Sequence, residues 1–229
     1  MGNLVKTIKK IALDEDGVKT PYYDYMMERA VPFCKKFYDK EVINPEEYDI
    51  KDIFGITSNQ RLLFWLIYIW GLFSKQEIDS KALEVIEKWI EEARQIDIIT
   101  ARVYVAERTA LGALARRNYL RRFDKDNIPF GKEHIHFCSE KNSAVEKTRY
   151  IEELGSQIIL EDKVDNIDAI VTQTDCKVIM PEWPYNKDYD NLSIIKVPYE
   201  TLFPCADKIV TYLDEGYPFE EVKKLMLKK

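Results

Sequence analysis

The sequence lacks the cysteine pattern of a disulfide-bonded or zinc-binding protein. Only four of its 229 residues are cysteines, and no two of them form a Cys-x-x-Cys pair. They are Cys34, Cys138, Cys176 and Cys205. Spacings this wide exclude a disulfide framework and a zinc finger, and they predict reduced thiols in a cytoplasmic protein.

The chain also lacks an excess of positive charge. It carries 34 lysines and arginines against 40 aspartates and glutamates, which gives a net charge of −6 and a pI near 5.2. General nucleic-acid binding depends on many cations that neutralise phosphates, so we do not expect it here. The composition is more typical of a protein that binds a small anionic substrate with a few local cations and a metal ion.

Long hydrophobic runs are missing as well. The longest continuous apolar stretch extends only from Leu62 to Phe73, whereas a membrane-spanning helix needs about 20 residues. The first residues lack the apolar segment of a signal peptide, which again favours a cytoplasmic location. A helix that is apolar all round is usually buried, so we interpret this run as a packed helix or a subunit interface, as in a homodimer.

Short apolar segments alternate with helical patterns along most of the chain. Leu83, Ile86, Ile90 and Ala93 fall on one stripe of a helix, and residues 105–119 and 143–154 also have helical patterns. The segments predicted as strands are 8–13, 96–99, 135–138, 158–160, 178–180 and 192–197. Alternation of this kind predicts an α/β fold with a doubly wound parallel sheet that is covered on both faces.

Residues 20–81 interrupt this alternation. They separate the first two predicted strands and are helical, aromatic and poor in strand signals. The stretch is too long for one crossover helix. We therefore predict a core domain of residues 1–19 and 82–229 and a small helical domain of residues 20–81, inserted after the first strand.

The first predicted strand ends in an acidic motif. Asp14 and Asp16 follow the buried run 11–13, and Gly17 permits a sharp turn after them. Two aspartates at this spacing can share a divalent cation or serve two different chemical roles. Taken alone, the motif also fits an acidic turn without function.

Other polar residues follow later strands. Thr100, Ala101 and Arg102 come directly after the second strand, and Glu161 and Asp162 come after the fourth. Lys147 lies in the helix between these two strands. Ligands of open parallel sheets bind beyond the carboxyl ends of the strands, so these groups are predicted to converge there. Their chemistry indicates a metal and phosphate site.

The ordered motifs resemble those of the haloacid dehalogenase superfamily of phosphohydrolases. They are Asp14-x-Asp16-Gly17-Val18, Ile99-Thr100-Ala101-Arg102, Lys147 and Glu161-Asp162. The inserted helical domain resembles the type 1 cap of that superfamily. Leu160-Glu161-Asp162 and Trp183-Pro184-Tyr185-Asn186 further resemble its 5′-nucleotidase branch, including deoxyribonucleotidase-like proteins.

The resemblance implies a role for each motif residue. Asp14 is implied to be the nucleophile that forms an aspartyl-phosphate, and Asp16 the general acid and base. Mg²⁺ is implied to be bound by the carboxylates of Asp14 and Asp162 and by the backbone carbonyl of Asp16. Thr100, Ala101 and Lys147 are implied to bind phosphate, with Glu161 and Arg102 in support.

Each residue also has an ordinary structural interpretation. Thr100 alone is more often a helix N-cap, and Arg102 alone is more often a surface charge. Lys141 competes with Lys147 for the role of phosphate lysine. The motifs gain weight from their order along the chain and from their position at strand ends.

Two other patterns favour an ordinary structural role. His134, His136 and Cys138 alternate as if on one strand face, but no fourth ligand follows, so a buried strand face is favoured over a soft-metal site. A group of arginines is predicted to form the solvated face of a helix. It comprises Arg116, Arg117, Arg121 and Arg122.

The sequence therefore predicts a Mg²⁺-dependent phosphomonoesterase whose partner is a small phosphorylated substrate. A nucleoside 5′-monophosphate is the leading hypothesis, because an aromatic cap suits a planar base. A sugar phosphate or a nucleic-acid phosphate end is the enzymatic alternative. A non-catalytic interaction protein with a phosphate pocket is the alternative from another class.

Overall fold

The computed structural model describes residues 7–75, 78, 80–102, 105–125 and 128–227. The strands are β1 (Lys10–Leu13), β2 (Gln95–Thr100), β3 (Ile135–Phe137), β4 (Ile158–Leu160), β5 (Lys177–Glu182) and β6 (Ile194–Pro198). The α-helices are α1 (Tyr22–Tyr38), α2 (Ile50–Phe54), α3 (Ser58–Lys75), α4 (Ser80–Glu91), α5 (Ala110–Lys125), α6 (Ser143–Leu154), α7 (Val164–Gln173), α8 (Leu202–Asp214) and α9 (Phe219–Leu227).

All six strands form one parallel sheet in the order β3-β2-β1-β4-β5-β6. The central strand β1 pairs with β2 on one side and β4 on the other, with Leu13 opposite Ile98 and Leu160. The strands are short and almost wholly apolar because both faces of the sheet are covered. The predicted strands and the doubly wound α/β class are confirmed.

Side-chain alternation along β1 divides the core between the two faces. Ile11 and Leu13 pack on one face with residues of α4, α5, α8 and α9, including Trp89. Ala12 packs on the other face with residues of α6 and α7, including Ile151 and Ile167. The residues that follow β1 continue this alternation, which directs neighbouring side chains toward different helices.

Helices α1, α2 and α3 fill the stretch between β1 and β2 and share an apolar cluster of their own. Phe33, Ile53 and Phe64 are buried in it, and Trp183 from the segment after β5 packs against it. This cluster contains many of the aromatic residues of the inserted stretch. The division into domains at residues 20 and 81 remains a prediction.

Two details of the sequence prediction are wrong. Helix α5 begins at Ala110 and not at residue 105, because Thr109 caps it: the hydroxyl oxygen of Thr109 accepts the backbone N–H of Gly112 at 3.0 Å. Arg122 does not lie on a solvated helix face. It is 7% exposed, on the buried side of α5.

Three further features of the structure concern expectations from the sequence. Helix α6 spans the predicted residues, and Gly155 ends it in the left-handed region at φ 67°. None of the helices in the described ranges is long and apolar enough to cross a membrane. All four cysteines are free.

Candidate active site

The carboxyl ends of three neighbouring strands bring the predicted site residues together. Strands β2, β1 and β4 are adjacent and parallel, so the segments that follow them leave the same edge of the sheet. The backbone N–H of Asp14 donates to the Leu160 carbonyl at 2.9 Å and extends the β1–β4 ladder by one residue. Asp14 therefore lies beside Glu161 and Asp162.

Three carboxylates and one lysine form a buried group that we call the acidic cluster. It comprises Asp14, Lys147, Glu161 and Asp162, each at most 6% exposed. One oxygen from each carboxylate lies within 4.8 Å of the others. The Lys147 Nζ is 2.9 Å from Asp14 Oδ1 and 2.5 Å from Glu161 Oε2.

Glu161 has several hydrogen-bonding partners in this cluster. Besides Lys147, it accepts the Asn166 side-chain amide at 2.9 Å and the Lys163 backbone N–H at 3.2 Å. The Ser143 hydroxyl in turn donates to the Asn166 carbonyl oxygen at 2.8 Å. Glu161 thus anchors the lysine, and no sequence pattern had indicated Asn166 or Ser143.

The electrostatics of the acidic cluster show an excess of negative charge. Burial, reinforced by Glu161, raises the pKa of Asp14 well above its usual range, although Lys147 opposes this shift. Burial and the charge of Glu161 raise the pKa of Asp162 to about 7. Desolvation would lower the pKa of Lys147, but Asp14 and Glu161 outweigh it and raise that pKa. One lysine does not balance three crowded carboxylates.

The acidic cluster has the donor chemistry of a divalent-cation site. Its ligands are carboxylate oxygens, which hard cations such as Mg²⁺ prefer. Among the described residues, this is the one group of three acidic, histidine or cysteine side chains whose ligand atoms come this close. Because Glu161 is already bonded to Lys147 and Asn166, Asp14 and Asp162 are the carboxylates best suited to hold a cation.

A loop after β5 makes hydrogen bonds to the segments that carry the acidic cluster. Trp183 Nε1 donates to the Gly17 carbonyl at 2.8 Å, and the Asn186 side-chain amide donates to the Asp162 carbonyl at 2.8 Å. The Tyr185 hydroxyl donates to Asp162 Oδ2. Gly17 has φ 77°, and a Cβ there would overlap the Asp162 carboxylate, so the turn requires glycine.

Asp16 makes a separate ion pair on the other side of the turn. The Arg102 Nε lies 2.9 Å from both carboxylate oxygens of Asp16, and an Nη atom of Arg102 also donates to one of them. Arg102 is 3% exposed, so it is not the surface charge of the alternative interpretation. The guanidinium fork holds the plane of the Asp16 carboxylate.

Glu15, between the two aspartates, extends this ion pair into a larger charged group that we call the ion-pair cluster. It comprises Glu15, Asp16, Lys19 and Arg102, with Tyr119 and Arg122 beside them. Glu15 Oε2 is 2.7 Å from the Lys19 Nζ and accepts the Tyr119 hydroxyl at 2.7 Å. Strand alternation turns Glu15 toward α5, whereas Asp14 faces α6.

The ion-pair cluster is well compensated. Burial alone would raise the pKa of Glu15. The charges of Lys19, Arg102 and Arg122 outweigh it and lower that pKa to about 2. The negative charge of Glu15 is therefore stabilised, unlike the charges of Asp14 and Asp162.

The remaining predicted site residues lie around the same edge. Thr100 is fully buried, and within the described part of the chain its hydroxyl has no hydrogen-bond partner. Such an atom is suited to a ligand oxygen. Ala101 lines the adjoining cavity, and so does the exposed Lys141, whereas the lysine that contacts Asp14 is Lys147.

A cavity of about 310 Å³ opens above Asp14, Asp16, Lys147 and Asp162. One face of α3 forms part of the cavity wall, since the apolar α3 residues that line the cavity are spaced three or four positions apart. They are Leu62, Trp65, Leu66, Ile69 and Leu72. Tyr22 and Tyr48 line it too, and the ring of Tyr22 stacks on both Tyr48 (5.7 Å between centroids) and Trp65 (5.9 Å). The cavity thus has a charged floor and an apolar, aromatic wall.

The two histidines contact a carboxylate. His134 Nδ1 and His136 Nε2 lie 3.0 and 3.1 Å from the same oxygen of buried Asp97. His134 precedes β3 in a short 3₁₀ turn and is not part of the strand face. Burial favours a higher pKa for Asp97, but hydrogen bonds from His136 and His134 lower it.

Comparisons with known proteins give a relationship of fold. No family model matches the chain, and no curated protein matches its sequence. A family IA, variant 3 HAD hydrolase from Entamoeba histolytica is 13% identical, with a TM-score of 0.52 over 76% of this chain and 83% of that one. A protein described as a haloacid dehalogenase-like hydrolase from Bacteroides fragilis is 9% identical, with a TM-score of 0.53 over 84% and 98%.

A third similar structure, from Burkholderia xenovorans, is also described as a haloacid dehalogenase-like hydrolase. It is 8% identical and has a TM-score of 0.53 over 87% of this chain and 96% of that one. At identities this low, the structural similarity establishes the fold alone, and the chemistry has to be inferred from the site itself. The chain has the parallel α/β fold of haloacid dehalogenase-like hydrolases.

Proposed function

We propose that this chain is a Mg²⁺-dependent phosphomonoesterase of the haloacid dehalogenase superfamily. The observation that carries the proposal is the acidic cluster at the floor of the cavity. Asp14 there combines an accessible cavity face with a lysine at 2.9 Å and a neighbouring Asp162 carboxylate. Phosphoryl transfer needs mainly positioning and charge stabilisation, which this arrangement offers.

In the proposed reaction Asp14 and Asp16 act in two steps. A carboxylate oxygen of Asp14 attacks phosphorus, the bond to the ester oxygen breaks, and Asp16 gives a proton to the departing alkoxide. Water then attacks the aspartyl-phosphate while Asp16 takes its proton. The bond between phosphorus and the Asp14 oxygen breaks, so inorganic phosphate leaves and both carboxylates are regenerated.

Other residues of the site bind and neutralise the phosphoryl group. Lys147, fixed by Glu161, places its charge beside Asp14, and the buried Thr100 hydroxyl supplies a hydrogen bond to a phosphate oxygen. The carboxylates of Asp14 and Asp162 would hold Mg²⁺, with the Asp16 backbone carbonyl as the third protein ligand that the resemblance implies. The ion supplies positive charge that offsets the phosphoryl oxygens.

We further propose a nucleoside 5′-monophosphate as the substrate. The apolar face of α3 and the rings of Tyr22 and Tyr48 line the cavity opposite the charged floor. A planar base can contact such a wall while its phosphate reaches Asp14, and aromatic contacts with bases contribute about 1–3 kcal/mol each. A cytoplasmic location fits this substrate class.

The alternative of a nucleic-acid phosphate end has less support. Such a substrate would need a cationic surface near the site, for which the arginines of α5 are the candidates. Arg122 is buried, and an Nη of Arg116 donates to the Val105 and Glu107 carbonyls at 2.6 and 2.7 Å. These contacts leave a smaller cationic surface than the sequence pattern suggested.

The test is phosphate release by the purified chain over a panel of monoesters, with Mg²⁺ and with EDTA. The panel includes ribo- and deoxyribonucleoside 5′-monophosphates, their 3′ isomers, sugar phosphates and a 5′-phosphorylated oligonucleotide. We expect Mg²⁺-dependent release that is fastest with 5′-mononucleotides.

Each part of the proposal can fail separately. Release from sugar phosphates at the same or higher kcat/KM would reject the nucleotide substrate and keep the reaction class. Release that persists in EDTA would reject the metal dependence. Absence of release from every ester, with a folded protein, would favour a non-catalytic phosphate-binding protein.

A further inference from the structure

We infer that Tyr185 is a positioning residue for the Asp162 carboxylate, and that the ring of Tyr48 in the inserted helical stretch holds Tyr185 in place. The inference rests on the proposed function, since it assigns Asp162 to a cation. The sequence had assigned no role in the site to either tyrosine.

The contact between Tyr185 and Asp162 is direct. The tyrosine hydroxyl donates to Asp162 Oδ2, and Asp162 is 2% exposed. A hydrogen bond to one carboxylate oxygen sets the plane of the group and hence the direction of the second oxygen. Outer contacts of this kind orient the ligands of metal sites.

The loop that carries Tyr185 is itself hydrogen-bonded to the segments that follow β1 and β4. The Asn186 amide donates to the Asp162 carbonyl at 2.8 Å and to the Pro181 carbonyl at 3.0 Å. The Trp183 indole donates to the Gly17 carbonyl at 2.8 Å. This short loop therefore hydrogen-bonds to the backbone at both Gly17 and Asp162, and Tyr185 adds a hydrogen bond to the Asp162 side chain.

The aromatic ring of Tyr185 packs against residues of the inserted stretch. The rings of Tyr185 and Tyr48 pack edge to face, with their centroids 5.0 Å apart and an interplanar angle of 90°. The ring centroid of Tyr23 in α1 lies 5.7 Å from that of Tyr185. The orientation of the hydroxyl on Asp162 thus depends on rings outside the sheet.

Tyr48 also connects this contact to the cavity wall. It lines the cavity and stacks on Tyr22, which stacks on Trp65 of α3. A continuous line of rings runs from the wall that faces a substrate to the carboxylate at the floor. The position of the inserted helices and the geometry of Asp162 are coupled through this line.

The test measures cation binding by the full chain without substrate. Mg²⁺ is titrated calorimetrically, and Mn²⁺ by electron paramagnetic resonance, into wild type and Tyr185→Phe. The substitution keeps the ring and removes the hydroxyl, so we expect a 10- to 100-fold loss of affinity for both ions. The thermal midpoint without metal should stay near that of wild type, which separates positioning from a general loss of packing.

Tyr189→Phe is the matched control. The Tyr189 hydroxyl also donates to an aspartate, Asp168, in an exposed position that does not line the cavity. We expect its cation affinity to equal that of wild type. Equal losses in Tyr185→Phe and Tyr189→Phe would overturn the inference.

Tyr48→Leu tests the second half of the inference. We expect a smaller loss of cation affinity than in Tyr185→Phe, and no added loss when both substitutions are combined, because Tyr48 acts through the hydroxyl of Tyr185. Fully additive losses would overturn this half. Wild-type affinity in Tyr185→Phe would overturn both halves and leave the metal site standing, whereas no cation binding by wild type would overturn the inference together with the metal site.

Discussion

Two groups of buried charges lie on opposite sides of the segment after β1, and they are balanced in opposite ways. The acidic cluster sets three carboxylates against Lys147, and burial and crowding raise the pKa of two of its carboxyl groups. In the ion-pair cluster, by contrast, three cations surround Glu15 and its pKa falls to about 2. The members of both groups are buried, except for Asp16, which is half-buried.

The difference separates a candidate binding site from a structural support. A buried carboxylate that nearby cations stabilise can hold a fold in one arrangement, whereas carboxylates that crowd one another provide a place for a cationic ligand. Asp14 and Glu15 are neighbours, yet strand alternation gives one to each group. The same short acidic motif therefore supplies both a candidate nucleophile and its support.

The largest effect is expected for Asp14→Asn. It removes the proposed nucleophile, and loss of such a group lowers kcat by about 10⁴-fold or more. The free energy of unfolding without metal should be no lower than in wild type, because one of three crowded carboxylates becomes neutral. Phosphate release and chemical denaturation check both parts, and residual activity within about tenfold of wild type would contradict the assignment.

Glu15→Gln should have the opposite profile. It leaves Lys19, Arg102 and Arg122 without their shared carboxylate, and loss of one partner from a buried ion pair costs about 3–5 kcal/mol. Urea denaturation measures this change. Glu153→Gln, in an exposed pair with Arg149, is the control and should change stability by less than about 1 kcal/mol. A Glu15→Gln protein with the same free energy of unfolding as wild type would contradict the contrast between the two clusters.

Arg102→Lys should affect the chemical step through Asp16. A lysine cannot reproduce the forked contact with the Asp16 carboxylate, so proton transfer to a poor leaving group should slow by about 10- to 100-fold. Hydrolysis of 4-nitrophenyl phosphate, whose leaving group needs little protonation, should change far less. Arg149→Lys is the matched control, and an equal loss with both kinds of ester in Arg102→Lys would exclude action through Asp16.

The pH dependence of stability should show the ionisation of Glu15. Its pKa is lowered from 4.5 to about 2 on folding, so its contribution is complete above pH 4.5 and is lost as the pH falls toward 2. By pH 3.5 the wild type should have lost about 1–2 kcal/mol through this group. Denaturation of wild type and Glu15→Gln at pH 6 and pH 3.5 should show the gap between them narrowing, and a constant gap would contradict the shift.

The strands and most of the candidate site could be predicted from local patterns. Apolar runs indicated the strands, and the rule that ligands bind beyond strand ends placed Asp14, Thr100 and Asp162 at one edge. The structure brings Lys147 to Asp14, as the motif order suggested. Spacing and strand position are properties that a single sequence displays.

Contacts between distant segments could not be predicted in this way. Nothing local indicates that Tyr119 would meet Glu15, or that Tyr185 would donate to Asp162. The arginines of α5 looked alike in the sequence, and only packing against the sheet turns Arg122 inward. Side-chain pairing across the core depends on how helices settle on the sheet.

The most direct measurement is a calorimetric titration of Mg²⁺ into wild type and Asp162→Asn at pH 8, without substrate. We expect one Mg²⁺ per chain in wild type and an affinity at least about tenfold weaker in the variant, because the proposed site needs a cation that both Asp14 and Asp162 contact. Equal affinity in the two proteins, or no binding by wild type, would contradict it.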